Sequence, residues 1–119
     1  MPARQGEVWK LDLNPVRGRE QAGERPALIV SVDKFNSGPA GLVIVAPLTS
    51  VDKGQPMHVR IEPPEGGVAK PSFVKSEDVR SVSSERLVDR WGAVERETLR
   101  AVVQRIITEQ RIIWGFAFD

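Results

Sequence analysis

Apolar and polar positions alternate along most of the chain, and a longer period takes over near its end. In residues 7–13, Val8, Trp9, Leu11 and Leu13 supply bulk, which predicts a first strand stopping at Asn14-Pro15. A second strand is predicted at 27–32, opening with the apolar run Ala27 to Val30 that suits burial on both faces. The third, LVIVAPL at 42–48, ends at Thr49-Ser50, two hydroxyls placed where the chain leaves the sheet. Between them lie a charged loop at 14–25 and an Asn-, Gly- and Pro-rich turn region at 33–41. After a loop at 51–56, Met57, Val59 and Ile61 alternate with His58, Arg60 and Glu62, the pattern of a strand with one wet face. A turn at 63–67 follows, then short strands at 72–75 and 79–82 flanking Ser76-Glu77-Asp78. One helical turn is predicted from Ser83-Ser84-Glu85, and then a strand at 88–94 in which Trp91 is expected to pack.

From Glu95 to Ile113 the period becomes 3.6: Leu99, Val102, Val103, Ile106, Ile107 and Ile113 form one apolar stripe, with Arg96, Arg100, Arg105 and Arg111 largely off it. Glu95 and Glu97 favour the dipole of this helix, although no Ser, Asp or Asn stands at the expected N-cap. Many short strands and one C-terminal helix predict a mainly β, α+β fold: a small, strongly bent antiparallel barrel with the helix laid against it, residues 1–119 forming a single domain.

Composition narrows the function. The 119 residues are enough for a core without disulfides, and with no cysteine there is neither a thiolate metal site nor a cysteine nucleophile. The N-terminus lacks a signal-peptide core, and no apolar run is long enough to span a bilayer, so a soluble cytoplasmic protein is expected. A net charge of +1 means that any nucleic-acid site must be local.

Among chemical candidates, His58 is the single histidine and reads as a surface strand residue with no obvious carboxylate or serine partner, which disfavours a triad or histidine metal site. Glu77 and Asp78 are adjacent, and on a regular strand adjacent side chains point to opposite faces and cannot form a facing dyad. In the opening loop Arg17, Arg19 and Arg25 lie close together with Glu20 and Gln21 between them. Two readings are open there: a solvated loop whose ion pairs contribute little, or a phosphate and base site with arginine forks on phosphate oxygens. Arg25 is the informative member, because it directly precedes a buried strand.

Ordered motifs extend these observations: GEVW at 6–9, DLNP at 12–15, G-x-E-Q-x-G-x-R-P-A-L-I-V-S at 18–31, PLTS at 47–50, VRSV at 79–82 and Arg86-Leu87. In these the chain resembles the MazF/PemK-type toxins, sequence-selective endoribonucleases of bacterial toxin–antitoxin systems. The resemblance implies an SH3-like barrel of the CcdB/Kid/MazF type and a homodimer neutralised by a cognate antitoxin protein. It further implies metal-independent cleavage of single-stranded RNA without a cofactor, by attack of the ribose 2′-OH on the adjacent phosphate. Carried over by position, the catalytic arginine falls on Arg25 and the catalytic threonine on Thr49, with Arg19, Glu20, Gln21, Ser50, Glu77 and Asp78 as RNA contacts. Because a guanidinium holds its proton at neutral pH, the first role expected of Arg25 is stabilising charge on the pentavalent phosphate. The chain departs from the family pattern at Arg19, where a small or neutral residue is common, and at Asp78, where an amide is common. Both bear on base preference. A gyrase-inhibiting CcdB-like toxin, which shares the barrel but acts by binding a protein, and an inactive family member are the alternatives.

Overall fold

The computed structural model describes residues 2–13 and 24–113, with side chains from 25 to 109 in the second stretch. The strands are β1 (Glu7–Asp12), β2 (Glu24–Ile29), β3 (Leu42–Thr49), β4 (His58–Ile61), β5 (Ser72–Lys75), β6 (Arg80–Ser83) and β7 (Leu87–Ala93). The helices are a short α1 (Asp33–Asn36) and the long α2 (Arg96–Ile113). All seven strands join one antiparallel sheet ordered β4-β5-β3-β2-β1-β7, with β6 also paired to β3. The mainly antiparallel architecture with a C-terminal helix is as the pattern predicts.

Closure is not. Among the described residues the sheet is bent but open, with β4 and β7 at its ends. The bend lies in β3, whose first half pairs with β6 and whose last two residues, Leu48 and Thr49, pair with β5. One long strand serving two partners turns the sheet sharply without joining its edges.

β2 begins earlier than the apolar run indicates. Pairing with β1, which sets Leu11 opposite Arg25 and Asp12 opposite Glu24, carries the strand back through Pro26. Arg25 therefore stands inside a strand, not ahead of one. Partner pairing, invisible in local composition, decides this boundary.

Each face of the sheet has its own core. Val8, Leu28, Ala46, Leu48, Ile61 and Val74 point to the side covered by α2, where Val102 is fully buried and Leu99 and Ile106 pack beside it. Leu11, Ala27, Ile29, Val43, Val45 and Val82 form the core of the opposite side with Ala3, and Trp9 and Leu13 pack against it. The helical stripe is less uniform than its sequence: Ile107 is 53% exposed. Ile113, also assigned to the stripe, lies outside the residues whose side chains are described.

A distant carboxylate replaces the missing N-cap. Glu65, in the 3₁₀ turn Glu65–Gly67, accepts a hydrogen bond from Glu95 N–H at 3.0 Å and another from the Thr98 hydroxyl. That turn seats closely on β7: a Cβ on Gly67 would fall 2.2 Å from the Trp91 carbonyl oxygen, at a φ of +75°. Trp91, expected to pack, offers mainly its backbone to this contact and is 37% exposed. The start of α2 is thus fixed by tertiary contacts that a local capping pattern cannot reveal.

Candidate functional site

β2 and β3 pair as Ala27↔Pro47, Leu28↔Ala46 and Ile29↔Val45. Arg25 and Thr49 lie two residues beyond the last of these pairs, one on each strand. Both have the parity of Ala27 and Pro47, so they belong to the face away from α2. There they line a cleft of about 570 Å³ whose floor includes Leu11, Ala27, Val45 and Pro47.

The cleft is basic. Among the described residues, Arg25, Lys53, Lys75 and Arg80 line it against a single carboxylate, Asp78. A local positive surface thus exists on a molecule with a net charge of +1. Asp78 is held by Arg80 Nη2 at 2.9 Å and lies 3.6 Å from Lys75 Nζ, which leaves Arg25 and Lys53 as the lining cations outside that cluster. Arg25 itself is exposed.

Thr49 ends β3, and its Oγ1 accepts a hydrogen bond from Val51 N–H at 3.2 Å. A hydroxyl that accepts from its own backbone retains an O–H to donate. The turn therefore leaves the Thr49 O–H available as a donor. Ser50 is exposed and does not line the cleft. Arg19, Glu20 and Gln21 lie outside the described residues.

Glu77 and Asp78 diverge, as adjacent side chains on a strand would, although the segment between β5 and β6 is a 3₁₀ turn, Ser76–Asp78. Asp78 faces the cleft, whereas Glu77 turns back to His58, with Glu77 Oε2 2.9 Å from His58 Nε2. His58 is accordingly no surface residue. Its side chain is 4% exposed, since this turn and α2 pack against β4, while Arg60 on the same face stays exposed. Glu109 on α2 feels both acids of the turn: burial, reinforced by the charges of Glu77 and Asp78, raises its carboxyl above the ordinary range. Lys53, Lys75 and Arg80 escaped the sequence reading. Each stands within a few residues of a flagged position, but only the folded sheet collects them.

A second carboxylate, Glu7, stands at the start of β1. Burial pushes its pKa up, but hydrogen bonds from Trp9, the Arg4 backbone and Arg90, with the charge of Arg90, outweigh that and hold it below the ordinary value.

Comparison with known proteins accords with this geometry. The sequence model of the PemK-like, MazF-like toxins of type II toxin–antitoxin systems matches residues 4–109. Endoribonuclease MazF9 of Mycobacterium tuberculosis is 35% identical over 101 residues, 81% of this chain and 86% of that protein. Endoribonuclease EndoA of Bacillus subtilis is 30% identical over 103 residues, 86% of this chain and 89% of the relative. The crystal structure of MazF (Form-I) from Deinococcus radiodurans superposes with a TM-score of 0.76 at 29% identity, covering 91% of this chain and 96% of that one. The chain belongs to the family of PemK-like, MazF-like toxins of type II toxin–antitoxin systems.

Proposed function

We propose that this toxin cuts single-stranded RNA at the edge formed by Arg25 and Thr49, without a metal ion or cofactor, as one domain spanning 1–119. Endoribonuclease activity belongs to the chain as a member of its family, both of whose relatives named above are endoribonucleases. The observation that carries the assignment of the site is that Arg25 and Thr49, on the paired strands β2 and β3, line one basic cleft.

In the proposed reaction the ribose 2′-oxygen forms a bond to the adjacent phosphorus as the bond to the 5′-oxygen breaks. The 2′-OH proton leaves and a proton arrives on the departing 5′-oxygen, giving 2′,3′-cyclic phosphate and 5′-OH ends. Arg25, a planar cation with several donors, stabilises the extra charge on the equatorial phosphate oxygens, and Thr49 donates its O–H to the same oxygens. Both groups are set by strand pairing, so little reorganisation accompanies the transition state. A DNA strand lacks the nucleophile. Lys53 and Lys75 add attraction for the backbone, and Asp78 is an acceptor for a base edge. Arg19, Glu20, Gln21 and Ser50 complete the proposed RNA contacts.

The protein acts in the cytoplasm as a homodimer and is neutralised by a cognate antitoxin, in keeping with the family's toxin–antitoxin description. Among the described residues no helix is long and apolar enough to cross a membrane. The deciding experiment incubates the purified, folded protein with a long single-stranded RNA in EDTA and sequences the cut ends. Cuts at a recurring base string with cyclic phosphate ends are expected. RNA left intact across varied contexts overturns the assignment, and cleavage only on adding magnesium overturns the metal-free route.

A further inference from the structure

The mechanism leaves one buried, chemically capable group unused: His58. It sits on β4, paired in register with Lys75 of β5, and its imidazole meets Glu77 at 2.9 Å under the Ser76–Asp78 turn. Ser76 is fully buried, so the turn has an inner side, Ser76 and Glu77, and an outer side on which Asp78 reaches the cleft. Asp78 in turn holds Arg80 and approaches Lys75, both of which line that cleft. The contacts therefore run from a buried ring to Glu77, whose backbone neighbour Asp78 belongs to the three-residue charge cluster on the cleft wall. No part of it reaches the Arg25 and Thr49 edge by hydrogen bonds given in the structure, and the Glu77 side chain, 28% exposed, is absent from the cleft lining.

We infer that His58 and Glu77 are positioning residues: their hydrogen bond fixes the Ser76–Asp78 turn and so sets where Asp78, Arg80 and Lys75 meet the RNA. They govern which sequence is held and how tightly, and take no part in proton transfer. The inference rests on the endoribonuclease reading for its substrate. A short three-residue turn has no helical ladder to hold it, which is why one internal bond matters here. A bonded, mostly buried carboxylate and imidazole keep their geometry better than two exposed side chains do.

The test compares His58→Ala, Glu77→Ala, the double variant and His58→Gln, whose amide N–H is able to replace the imidazole donor. Thermal melts establish folding. Steady-state cleavage of a single-stranded RNA cut by the wild type gives kcat and KM, end sequencing gives site choice, and a 2′-deoxy analogue at the cut position gives affinity without turnover. His58→Ala and Glu77→Ala are expected to raise KM and weaken the analogue about three- to tenfold, the scale of losing one hydrogen-bonded support. In both, kcat stays within about twofold and the set of cut sequences shifts, and the double variant loses no more than either single, as one shared contact requires. His58→Gln retains wild-type KM and an unaltered pH–rate profile. A fall in kcat at constant KM, a pH profile changed in His58→Gln, additive losses, or unchanged KM and site choice would each overturn the inference. If His58→Ala fails to fold, the contrast between Glu77→Ala and His58→Gln decides on the same criteria. Wild-type protein that binds the analogue but cuts nothing overturns the endoribonuclease reading alone, and the affinity arm still decides this one.

Discussion

The two faces of the same sheet divide the work by residue parity. On β2 and β3, Leu28 and Ala46 turn toward α2 and are buried in the core, while Ala27 and Pro47 beside them, with Arg25 and Thr49, line the cleft on the other side. Both sides have an apolar floor, but only one is roofed by the long helix. A step of one residue along either strand thus separates a position that holds the fold from one that faces the cleft. Chemistry placed on the unroofed parity inherits the rigidity of the roofed one, because both ride on the same backbone.

The contrast can be broken from either side. Leu28→Ala removes a fully buried side chain beneath α2 and is expected to cost about 2–5 kcal/mol of stability, measured by denaturant unfolding. Arg25→Ala should leave the melting temperature within about a degree or two, since a surface substitution is usually worth less than 0.5 kcal/mol. The same change should lower RNA cleavage about 10²–10³-fold, the scale of removing one charge-stabilising donor. Swapped outcomes would abolish the division between the faces. Gly67→Ala tests how the roof is held: its new Cβ would meet the Trp91 carbonyl at 2.2 Å, so β7 and the Glu65 cap of α2 must shift. A loss of about 1–3 kcal/mol is expected, as for strained backbone positions. Thr49→Val, which keeps shape and removes the hydroxyl, should slow cleavage about tenfold, roughly one hydrogen bond, at nearly constant stability.

The smallest effects are electrostatic, and the two carboxylates flanking the sheet should respond to pH in opposite senses. Glu7 is held below its ordinary value of 4.5, so it stabilises the fold above that pH, and its contribution is lost as pH falls through the lower folded value. Glu7→Gln should therefore be less stable than the parent at neutral pH and converge with it in acid. Glu109 is raised, so the fold favours its protonated form and stability is lost as pH climbs from 4.5 through the raised value. Glu109→Gln should be the more stable protein at neutral pH, with the advantage fading below 4.5. Urea midpoints across a pH series give both signs.

Much of the fold is legible in the chain. The β5 range, 72–75, follows directly from the sequence pattern, and α2 starts one residue from the predicted Glu95. Local periodicity carries that information, since alternation and a 3.6 period are properties of short windows. Boundaries set by a partner strand are less accessible: β2 starts at Glu24 because β1 reaches that far, not because its own residues favour a strand there. His58 illustrates the same limit. Alternation marks it as exposed, and only a carboxylate nineteen residues on, with the turn that carries it, reveals that it is covered.

By itself, the sequence determined the residue types and their parity: an arginine beside an apolar run, a threonine at the end of another, a helix with one apolar stripe, and the motifs that mark the toxin family. Tertiary structure alone decided that Arg25 and Thr49 line one cleft, that Lys53, Lys75 and Arg80 line it with them, and that Glu77 faces inward while Asp78 faces out. The physical reason is range. Side-chain alternation and helical periodicity are fixed by bonds between near neighbours, whereas register, cleft charge and the burial of a polar pair are fixed by contacts between segments that meet only when the sheet forms.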